Sequence, residues 1–217
     1  MTLRLDFSID ANVPMSDALR GLAARGQTRR FRKGAILIEE GEAGDTLFIL
    51  LAGRLRAFAS AANGREITYG VYGPGEYLGE LSLDGGVRSA SVEAVEATLC
   101  AVVTRETVRK HILECPEFAL ELLTKVIRRT RAATLSARNL ALNDVYGRLK
   151  ELLEALGQLQ ADGVRVIDER LTHRELAQRL GCSREMVSRI MKDLADGGYV
   201  QQDGGRLLMR TALPPRW

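Results

Sequence analysis

Hydrophobic and polar positions are most informative along one long uninterrupted stretch near the middle of the chain. From Pro116 to about Asp144 there is no glycine and no further proline, which predicts a helix roughly 40 Å long. Apolar residues at helical spacing mark both ends of this stretch: Phe118, Leu120, Leu122, Leu123, Val126 and Ile127, then Leu135, Leu140 and Leu142. Residues 128–134 between them are polar or small. We interpret the helix as a dimer seam with a ligand-sized interruption; the alternative is a core helix with a solvated basic turn.

Before this helix, short apolar segments alternate with glycine-containing turns. The segments that we predict as strands are 35–38, 46–51, 54–59, 67–69, 91–95 and 98–103. Asn63 and Gly64 predict a hairpin between two of them. Many short strands with regular turns predict a small antiparallel sandwich or roll.

One segment of this region, residues 79–90, does not have the pattern of a strand. Gly79 before a short helical turn allows backbone N–H groups to point at an anion. Arg88 is suited to bind a phosphate with two hydrogen bonds, and Ser89 adds a hydroxyl donor. The carboxylate of Glu80 only accepts, so it suits a sugar hydroxyl. The alternative is a glycine-rich connection with a surface arginine.

After the long helix, the pattern predicts a helix-turn-helix with a wing. Thr172 and Glu175 form a capping box, Gly181 supplies the turn, and Ser183 caps the second helix. The predicted buried positions are Leu176, Ala177, Leu180, Val187, Ile190, Met191 and Leu194. The flanking elements that we predict are a helix over about 145–159, a strand over 164–167 and a hairpin wing over 199–202 and 206–209.

The outer face of the second helix of this motif collects polar and charged side chains: Arg184, Glu185, Ser188, Arg189 and Lys192. In a helix-turn-helix, the start of the second helix meets base edges in the major groove. Arginine reads guanine with two hydrogen bonds, and glutamate accepts one from cytosine. Thr172 and Ser183 begin the two helices, and Arg206 and Arg210 of the wing are placed to contact phosphates. The alternative is a solvated charged face of a surface helix.

The length, composition and charge of the chain limit the classes of protein to which it can belong. The chain has 217 residues, a net charge of +3 and 46% hydrophobic residues, which fits two modest globular domains and permits nucleic-acid binding. No run approaches ~18 apolar residues, and residues 1–12 lack the apolar core of a signal peptide. We therefore expect a cytoplasmic protein without a membrane span.

The chain has few residues of the types that commonly bind metals or carry out catalysis. Cys100, Cys115 and Cys182 are widely spaced, which fits a reducing compartment and disfavours a disulfide framework, a zinc site or an iron–sulfur cluster. His111 and His173 stand alone, and we expect them at the surface rather than as haem ligands. No nucleophile–base constellation or metal motif appears, so we expect neither an enzyme nor a bound metal.

Both halves of the chain resemble one family of regulators. The first half resembles the cyclic-nucleotide-binding domain over roughly residues 15–135, through Gly41-Glu42, Asp45, Leu47, Gly53, Gly79-Glu80-Leu81 and Arg88-Ser89-Ala90. The second half resembles the winged helix-turn-helix of the cAMP receptor protein and fumarate-nitrate regulator family, through Gly181-Cys182-Ser183-Arg184-Glu185, Val187 and Arg189. The hinge between the halves also matches, through Asn139-Leu140-Ala141, Asp144-Val145 and Gly147-Arg148.

This resemblance implies an α+β fold in three parts. They are an N-terminal cyclic-nucleotide-binding β-roll (an antiparallel jelly roll) over residues 1–115, a long central dimerisation helix over 116–143, and a C-terminal winged helix-turn-helix over 144–217. The resemblance also implies the roles of individual residues. In the cassette, Arg88 and Ser89 would hold the cyclic phosphate and Glu80 the ribose 2′-hydroxyl, with Gly79 and Leu81 beside them. Arg184, Glu185 and Arg189 would read bases.

The positions that would recognise the base depart from the family pattern. In the cAMP receptor, the central helix offers consecutive threonine and serine to adenine, and here Ala133 and Thr134 stand at those places, after Arg129 and Thr130. Ala133 cannot hydrogen-bond a purine amine, whereas Thr134 can. A missing bond costs on the order of 1 kcal/mol if water replaces it. The ligand is therefore left open between cAMP, cGMP and another nucleotide.

The sequence as a whole predicts a homodimeric, cytoplasmic transcription regulator. Its effector would be cAMP or a related cyclic nucleotide, its target a double-stranded DNA operator, and a further partner RNA polymerase. We hypothesise that the ligand favours the dimer state in which the two recognition helices lie about 34 Å apart. The alternatives are a redox or gas sensor on the same scaffold, a regulator that binds DNA without ligand, and a cyclic-nucleotide-binding subunit that acts on a protein partner.

Overall fold

The computed structural model describes residues 13–62, 64–160 and 163–215, without the side chains of residues 139–142. Asn63 of the expected hairpin, the first twelve residues and the side chains of Leu140 and Leu142 therefore lie outside the described residues. The chain divides into two compact units, residues 1–59 with 68–128 and residues 60–67 with 129–217. The boundaries predicted at residues 115 and 143 stay a prediction. No helix among the described residues is long and apolar enough to cross a membrane.

The first unit contains two four-stranded sheets that pack as a roll. Its elements are α1 (Asp17–Ala23), β1 (Gln27–Phe31), β2 (Ile36–Ile38), β3 (Thr46–Ala52), β4 (Leu55–Ser60), β5 (Glu66–Tyr72), β6 (Tyr77–Leu78), β7 (Ser91–Ala94), β8 (Thr98–Thr104) and α2 (Arg105–Glu114). The sheets have the strand orders β1-β8-β3-β6 and β2-β7-β4-β5. This confirms the predicted antiparallel roll. The strands β1 and β6 and the helices α1 and α2 were not predicted.

Strand β3 explains why the roll holds together. Its side chains are buried on both faces, so its sequence is a continuous apolar run rather than an alternation. Phe48 and Leu50 pack inside the roll, where the fully buried Cys100 joins them. Leu47 and Ile49 point to the other face, under the helices. Burial also raises the pKa of the Cys100 thiol to about 12.

His111 is buried, which corrects the expectation of a surface histidine. It lies on α2 and only 3% of its surface is exposed. Its Nε2 lies 2.8 Å from the carbonyl oxygen of Ala18 on α1, and its ring packs edge-on against Phe118 at 5.5 Å between centroids. The prediction failed because α1 and α2, which enclose the ring, were missing from it.

The long helix is present as α3, which spans Glu117–Leu142. Phe118 is fully buried and Leu122 packs against the same cluster, so the start of the predicted stripe belongs to the core of the first unit. The rest of the row faces away from that core: Leu120 is 68% exposed and Leu123 is 55% exposed. Ile127 and Leu135 are exposed as well. The helix therefore shows an apolar row that the described part of the chain leaves exposed.

The second unit contains the helix-turn-helix and its wing. After the last part of α3 come α4 (Val145–Leu156), β9 (Gln158–Leu159), β10 (Arg165–Ile167), α5 (His173–Leu180), α6 (Arg184–Asp196), β11 (Val200–Asp203) and β12 (Arg206–Met209). The four strands form one sheet in the order β11-β12-β10-β9. Helix α4 ends three residues earlier than predicted, because Gly157 is extended and leads into β9.

The core of the second unit has the predicted composition. All seven apolar positions predicted in α5 and α6 are buried there: Leu176, Ala177, Leu180, Val187, Ile190, Met191 and Leu194. Leu149 and Leu153 of α4 are fully buried against them. Together with the roll and the long helix, this confirms the predicted α+β fold class.

Candidate functional site

The backbone of the predicted cassette brings Gly79 and Arg88 into contact. Gly79 follows β6 with a φ of 94°, and residues Glu80–Ser82 then form a 3-10 turn. A Cβ on Gly79 would stand 2.7 Å from Nη1 of Arg88 and 2.7 Å from the carbonyl oxygen of Thr46. Both the left-handed backbone and the close approach therefore require glycine at this position.

The guanidinium of Arg88 is buried and held by three oxygens. Only 7% of the residue is exposed. Its Nη1 donates to the carbonyl oxygen of Gly79 at 3.1 Å and to Oγ of Ser82 at 2.7 Å. Its Nη2 donates to Oγ1 of Thr46 at 2.9 Å. The backbone of Arg88 is also fixed, because its N–H donates to the carbonyl oxygen of Glu42 at 2.8 Å.

The positive charge of Arg88 has no contact ion pair among the described residues. All three oxygens that hold it are neutral. Burial lowers the pKa of Arg88, while the charges of Asp45 and Glu80 act in the opposite direction. Taking a cation out of water is costly unless an anion compensates it. The cassette thus contains a buried positive charge of the kind that suits an anion.

Two N–H groups on one edge of the guanidinium are not used by these three bonds. The group has five N–H donors, of which the bonds to Gly79, Ser82 and Thr46 use three. The Nε–H and the second N–H of Nη2 are left, without an acceptor among the described residues. A Cβ on Gly44 would overlap Nε, Cζ and Nη2, so only glycine allows the backbone at this position to lie against that edge. Two neighbouring N–H groups match two oxygens of a phosphate.

The other predicted cassette residues differ in how deeply they are buried. Glu80 is buried beside Arg88, whereas Ser89 is exposed and Leu81 is half exposed. Sequence reasoning missed Gly44, Thr46 and Ser82, which bind or closely approach Arg88. Thr46 lies 42 positions before Arg88, so only the fold reveals their contact.

The residues predicted to recognise the base lie on α3, in the second unit. Thr130, Ala133 and Thr134 are exposed, and Arg129 is partly buried. Oγ1 of Thr134 donates to the carbonyl oxygen of Thr130 at 2.9 Å. The Thr134 hydroxyl proton is therefore engaged within the helix, while the oxygen can still accept from an amine. The roles of these four residues stay a prediction.

The helix-turn-helix has the predicted caps. The Thr172 hydroxyl accepts from the N–H of Glu175, and the Glu175 carboxylate accepts from the N–H of Thr172 at 2.7 Å. Gly181 ends α5 with a φ of 66°, and the Ser183 side chain accepts from the N–H of Met186 at the start of α6. These bonds fix how α6 leaves the turn, and thereby which face it presents.

That face carries the predicted DNA-reading residues. Arg184, Glu185, Arg189 and Lys192 are exposed on α6, and Ser188 is partly buried among them. Oγ of Ser188 lies 2.9 Å from Nδ1 of His173, a contact that sequence reasoning missed. In the wing, Nε of Arg206 pairs with Asp168 at 3.1 Å and Arg210 is exposed. Among the described residues, no group of three or more His, Cys, Asp or Glu side chains is arranged to hold a metal ion.

Comparison with known proteins identifies the type of both domains. Residues 28–114 match the family model of the cyclic nucleotide-binding domain, and residues 147–213 match that of the Crp-like helix-turn-helix domain. The chain is 35% identical over 192 residues to the cyclic AMP receptor protein of Thermus thermophilus, covering 86% of this chain and 85% of that protein. It is 32% identical over 196 residues to the CRP-like cAMP-activated global transcriptional regulator of Mycobacterium tuberculosis, covering 88% of each. The chain belongs to the CRP/FNR family of transcription regulators.

Solved structures of other regulators have a similar architecture. The c-di-GMP responsive global regulator CLP of Xanthomonas campestris matches with a TM-score of 0.78 over 89% of this chain and 98% of that chain. At 22% sequence identity, this likeness shows the fold alone. The catabolite activator protein of Thermus thermophilus matches over 94% of this chain and 95% of that chain, with 32% identity and a TM-score of 0.54.

Membership of the CRP/FNR family confirms the predicted class of function. The relatives are transcription regulators, so the chain is not an enzyme. The Crp-like helix-turn-helix implies DNA binding, and CRP family members act as dimers. The N-terminal domain is of the type that responds to a cyclic nucleotide.

Proposed function

We propose that this regulator binds cAMP, or a closely related cyclic nucleotide, through the Nε–H and Nη2–H donors of Arg88 and then binds a DNA operator as a dimer. The observation that carries the proposal is the buried Arg88 guanidinium, which is held by neutral oxygens and lacks a contact ion pair among the described residues. A cyclic phosphate supplies one negative charge and two exocyclic oxygens for the Nε–H and Nη2–H donors. cAMP is the first candidate because relatives about 30% identical carry it in their names.

The other residues of the proposed site each contact a different part of the nucleotide. The Glu80 carboxylate accepts from the ribose 2′-hydroxyl, because it is an acceptor only and lies buried beside the guanidinium. The exposed Ser89 hydroxyl adds a donor to the phosphate. Gly79 and Leu81 shape the wall of the cassette. On α3, Thr134 accepts from the base amine, and Ala133 makes no hydrogen bond to the base.

The DNA-binding half of the proposal rests on two exposed surfaces. The apolar row of α3, with Leu120, Leu123 and Ile127, pairs with the same row of a second copy. The exposed face of α6 enters the major groove, where its polar side chains read base edges: Arg184, Glu185, Ser188, Arg189 and Lys192. Ser183 and Arg206 contact phosphates, and Thr172 sets the start of α5 beside the DNA through its bonds to Glu175. The ligand favours the dimer state that places two such helices about 34 Å apart. The regulator acts in the cytoplasm, with RNA polymerase as its further partner.

The decisive experiment titrates the purified protein with cAMP and with cGMP in a calorimeter, followed by DNA binding with and without the tighter ligand. We expect saturable binding of one nucleotide and a gain in affinity for a duplex selected from a random pool. Arg88→Ala should lose the binding, whereas Arg109→Ala, on the exposed surface of α2, should keep it. Binding that survives in Arg88→Ala contradicts the proposed site. DNA affinity that ignores a bound nucleotide contradicts the proposed response.

A further inference from the structure

His173 links the two helices of the DNA-reading motif through a single hydrogen bond. It is the first residue of α5, and its Nδ1 lies 2.9 Å from Oγ of Ser188 on α6. The histidine is partly buried, and Ser188 belongs to the face that carries Arg184, Arg189 and Lys192. The ring therefore stands at the edge of the surface that we assign to DNA.

The imidazole controls what the Ser188 hydroxyl can offer to DNA. His173 is the hydrogen-bond partner of Ser188 among the described residues. When the imidazole is neutral and Nδ1 accepts, the hydroxyl proton points at the ring and the oxygen can only accept from DNA. When the imidazole is protonated, Nδ1–H donates to Oγ, and the hydroxyl proton is free to donate to a base or a phosphate. Protonation also adds a positive charge at this edge.

Carboxylates and cations both lie near His173, and several of these carboxylates are engaged with other partners. Glu169 and Arg206 line the same small cavity as His173, but Glu169 pairs with Arg179 and Arg206 pairs with Asp168. On α5, Arg174 follows the histidine, and the Glu175 carboxylate is engaged by Thr172. On α6, the charged neighbours of Ser188 are Arg184, Glu185, Arg189 and Lys192. DNA phosphates are the anions that this surface is suited to meet.

We propose that His173 is a positioning residue for operator binding, and that its protonation strengthens binding by turning the Ser188 hydroxyl toward DNA and adding one positive charge. Because DNA favours the protonated form, the affinity for the operator rises as the pH falls from 8 to 6. Histidine is the side chain that ordinarily changes charge in this range, and the chain has two histidines. The other one, His111, is buried in the first unit.

The test measures fluorescence anisotropy of a labelled duplex, selected from a random pool, at pH 6, 7 and 8 with and without cAMP. We expect several-fold tighter binding by the wild type at pH 6 than at pH 8. The slope of log affinity against log salt should be steeper by about two at pH 6, because each of the two subunits of the dimer brings one more cation to the DNA. His173→Asn keeps a hydrogen-bonding amide near Ser188 but cannot titrate, so its affinity should be the same at all three pH values.

Two further variants separate positioning from folding. Ser188→Ala keeps the imidazole and removes the hydroxyl, so it should keep the change in salt slope and lose part of the preference for the selected duplex over a scrambled one. Arg109→Ala should reproduce the wild-type pH profile. A wild-type affinity that does not change with pH overturns the proposal, and so does a pH dependence that persists in full in His173→Asn. If His173→Asn does not fold, the wild-type profile and Ser188→Ala still decide it.

Discussion

The two units of this regulator place their functional charges in opposite environments. In the first unit, Arg88 and Glu80 are buried, and neutral oxygens hold the guanidinium. In the second unit, Arg184, Arg189 and Lys192 stand in solvent on one face of α6. A buried charge acts over a short distance in a low dielectric, whereas an exposed charge is screened by salt. The first arrangement suits one small anion, and the second suits a long polyanion.

The largest effect that we expect follows from removing the buried positive charge of the first unit. Arg88→Met removes the buried cation and keeps an apolar side chain of similar length. We expect the ligand-free Tm to fall, because the hydrogen bonds of Arg88 are lost and the buried Glu80 carboxylate loses the cation beside it. The wild type should gain about 2.7 kcal/mol of stability at a hundredfold excess of nucleotide over Kd, and the variant none. Thermal unfolding with and without cAMP measures both, and a nucleotide-dependent rise of Tm in Arg88→Met contradicts the assignment.

The next largest effect follows from removing an exposed positive charge of the second unit. Arg184→Ala should weaken binding to the selected operator by roughly 1–3 kcal/mol and relax the preference at one base pair. Because Arg184 is exposed, its loss should leave Tm and nucleotide affinity unchanged. Anisotropy titrations against a panel of single-base variants of the operator measure the loss. Equal losses on every sequence would instead show that Arg184 contacts phosphate.

A smaller effect sharpens the description of the buried site. Ser82→Ala removes the shortest of the three bonds that hold Arg88, at 2.7 Å. We expect nucleotide affinity to fall by about 1 kcal/mol, because the guanidinium loses part of its orientation. Calorimetric titration measures the change, with Ser60→Ala at the exposed end of β4 as the control. An unchanged affinity in Ser82→Ala shows that the remaining two bonds suffice.

The smallest effect concerns the cap of α5 and depends on pH. Burial raises the pKa of Glu175, but the backbone and hydroxyl hydrogen bonds from Thr172 and the charge of Arg179 lower it, and the net pKa lies below the ordinary value. A carboxyl whose pKa is lowered by folding stabilises the folded state above its unfolded pKa, and this contribution disappears as the pH falls. Glu175→Gln should therefore lower Tm slightly at pH 7 and by less at pH 3. A Tm difference that does not shrink at pH 3 contradicts this account.

Local patterns predicted the second unit better than the first. The capping box of Thr172 and Glu175, the turn at Gly181 and the buried faces of α5 and α6 follow from residues three to seven positions apart. These contacts join residues that are close in sequence, so the spacing of residue types along the chain predicts them. The contact between His173 and Ser188 spans 15 positions and two helices, and spacing gave no sign of it.

In the first unit, spacing and resemblance found the ligand-binding residues but not the groups that hold them. Gly79, Glu80 and Arg88 were predicted, and the structure places Glu80 and Arg88 together in a buried cassette. Thr46 was assigned only to a strand, because its contact with Arg88 depends on how distant segments of the roll meet. His111 was misplaced for the same reason, since the helix that meets it comes from 93 positions away.

The alkylation rate of the buried Cys100 thiol measures how readily the roll opens. A thiol with a pKa of about 12 and no exposed surface cannot form an accessible thiolate, so alkylation must wait until the roll opens. Cys115 and Cys182 are partly exposed and provide faster-reacting sites in the first and second units. The alkylation rate of Cys100, followed separately from those of Cys115 and Cys182, thus reports opening of the effector-binding unit.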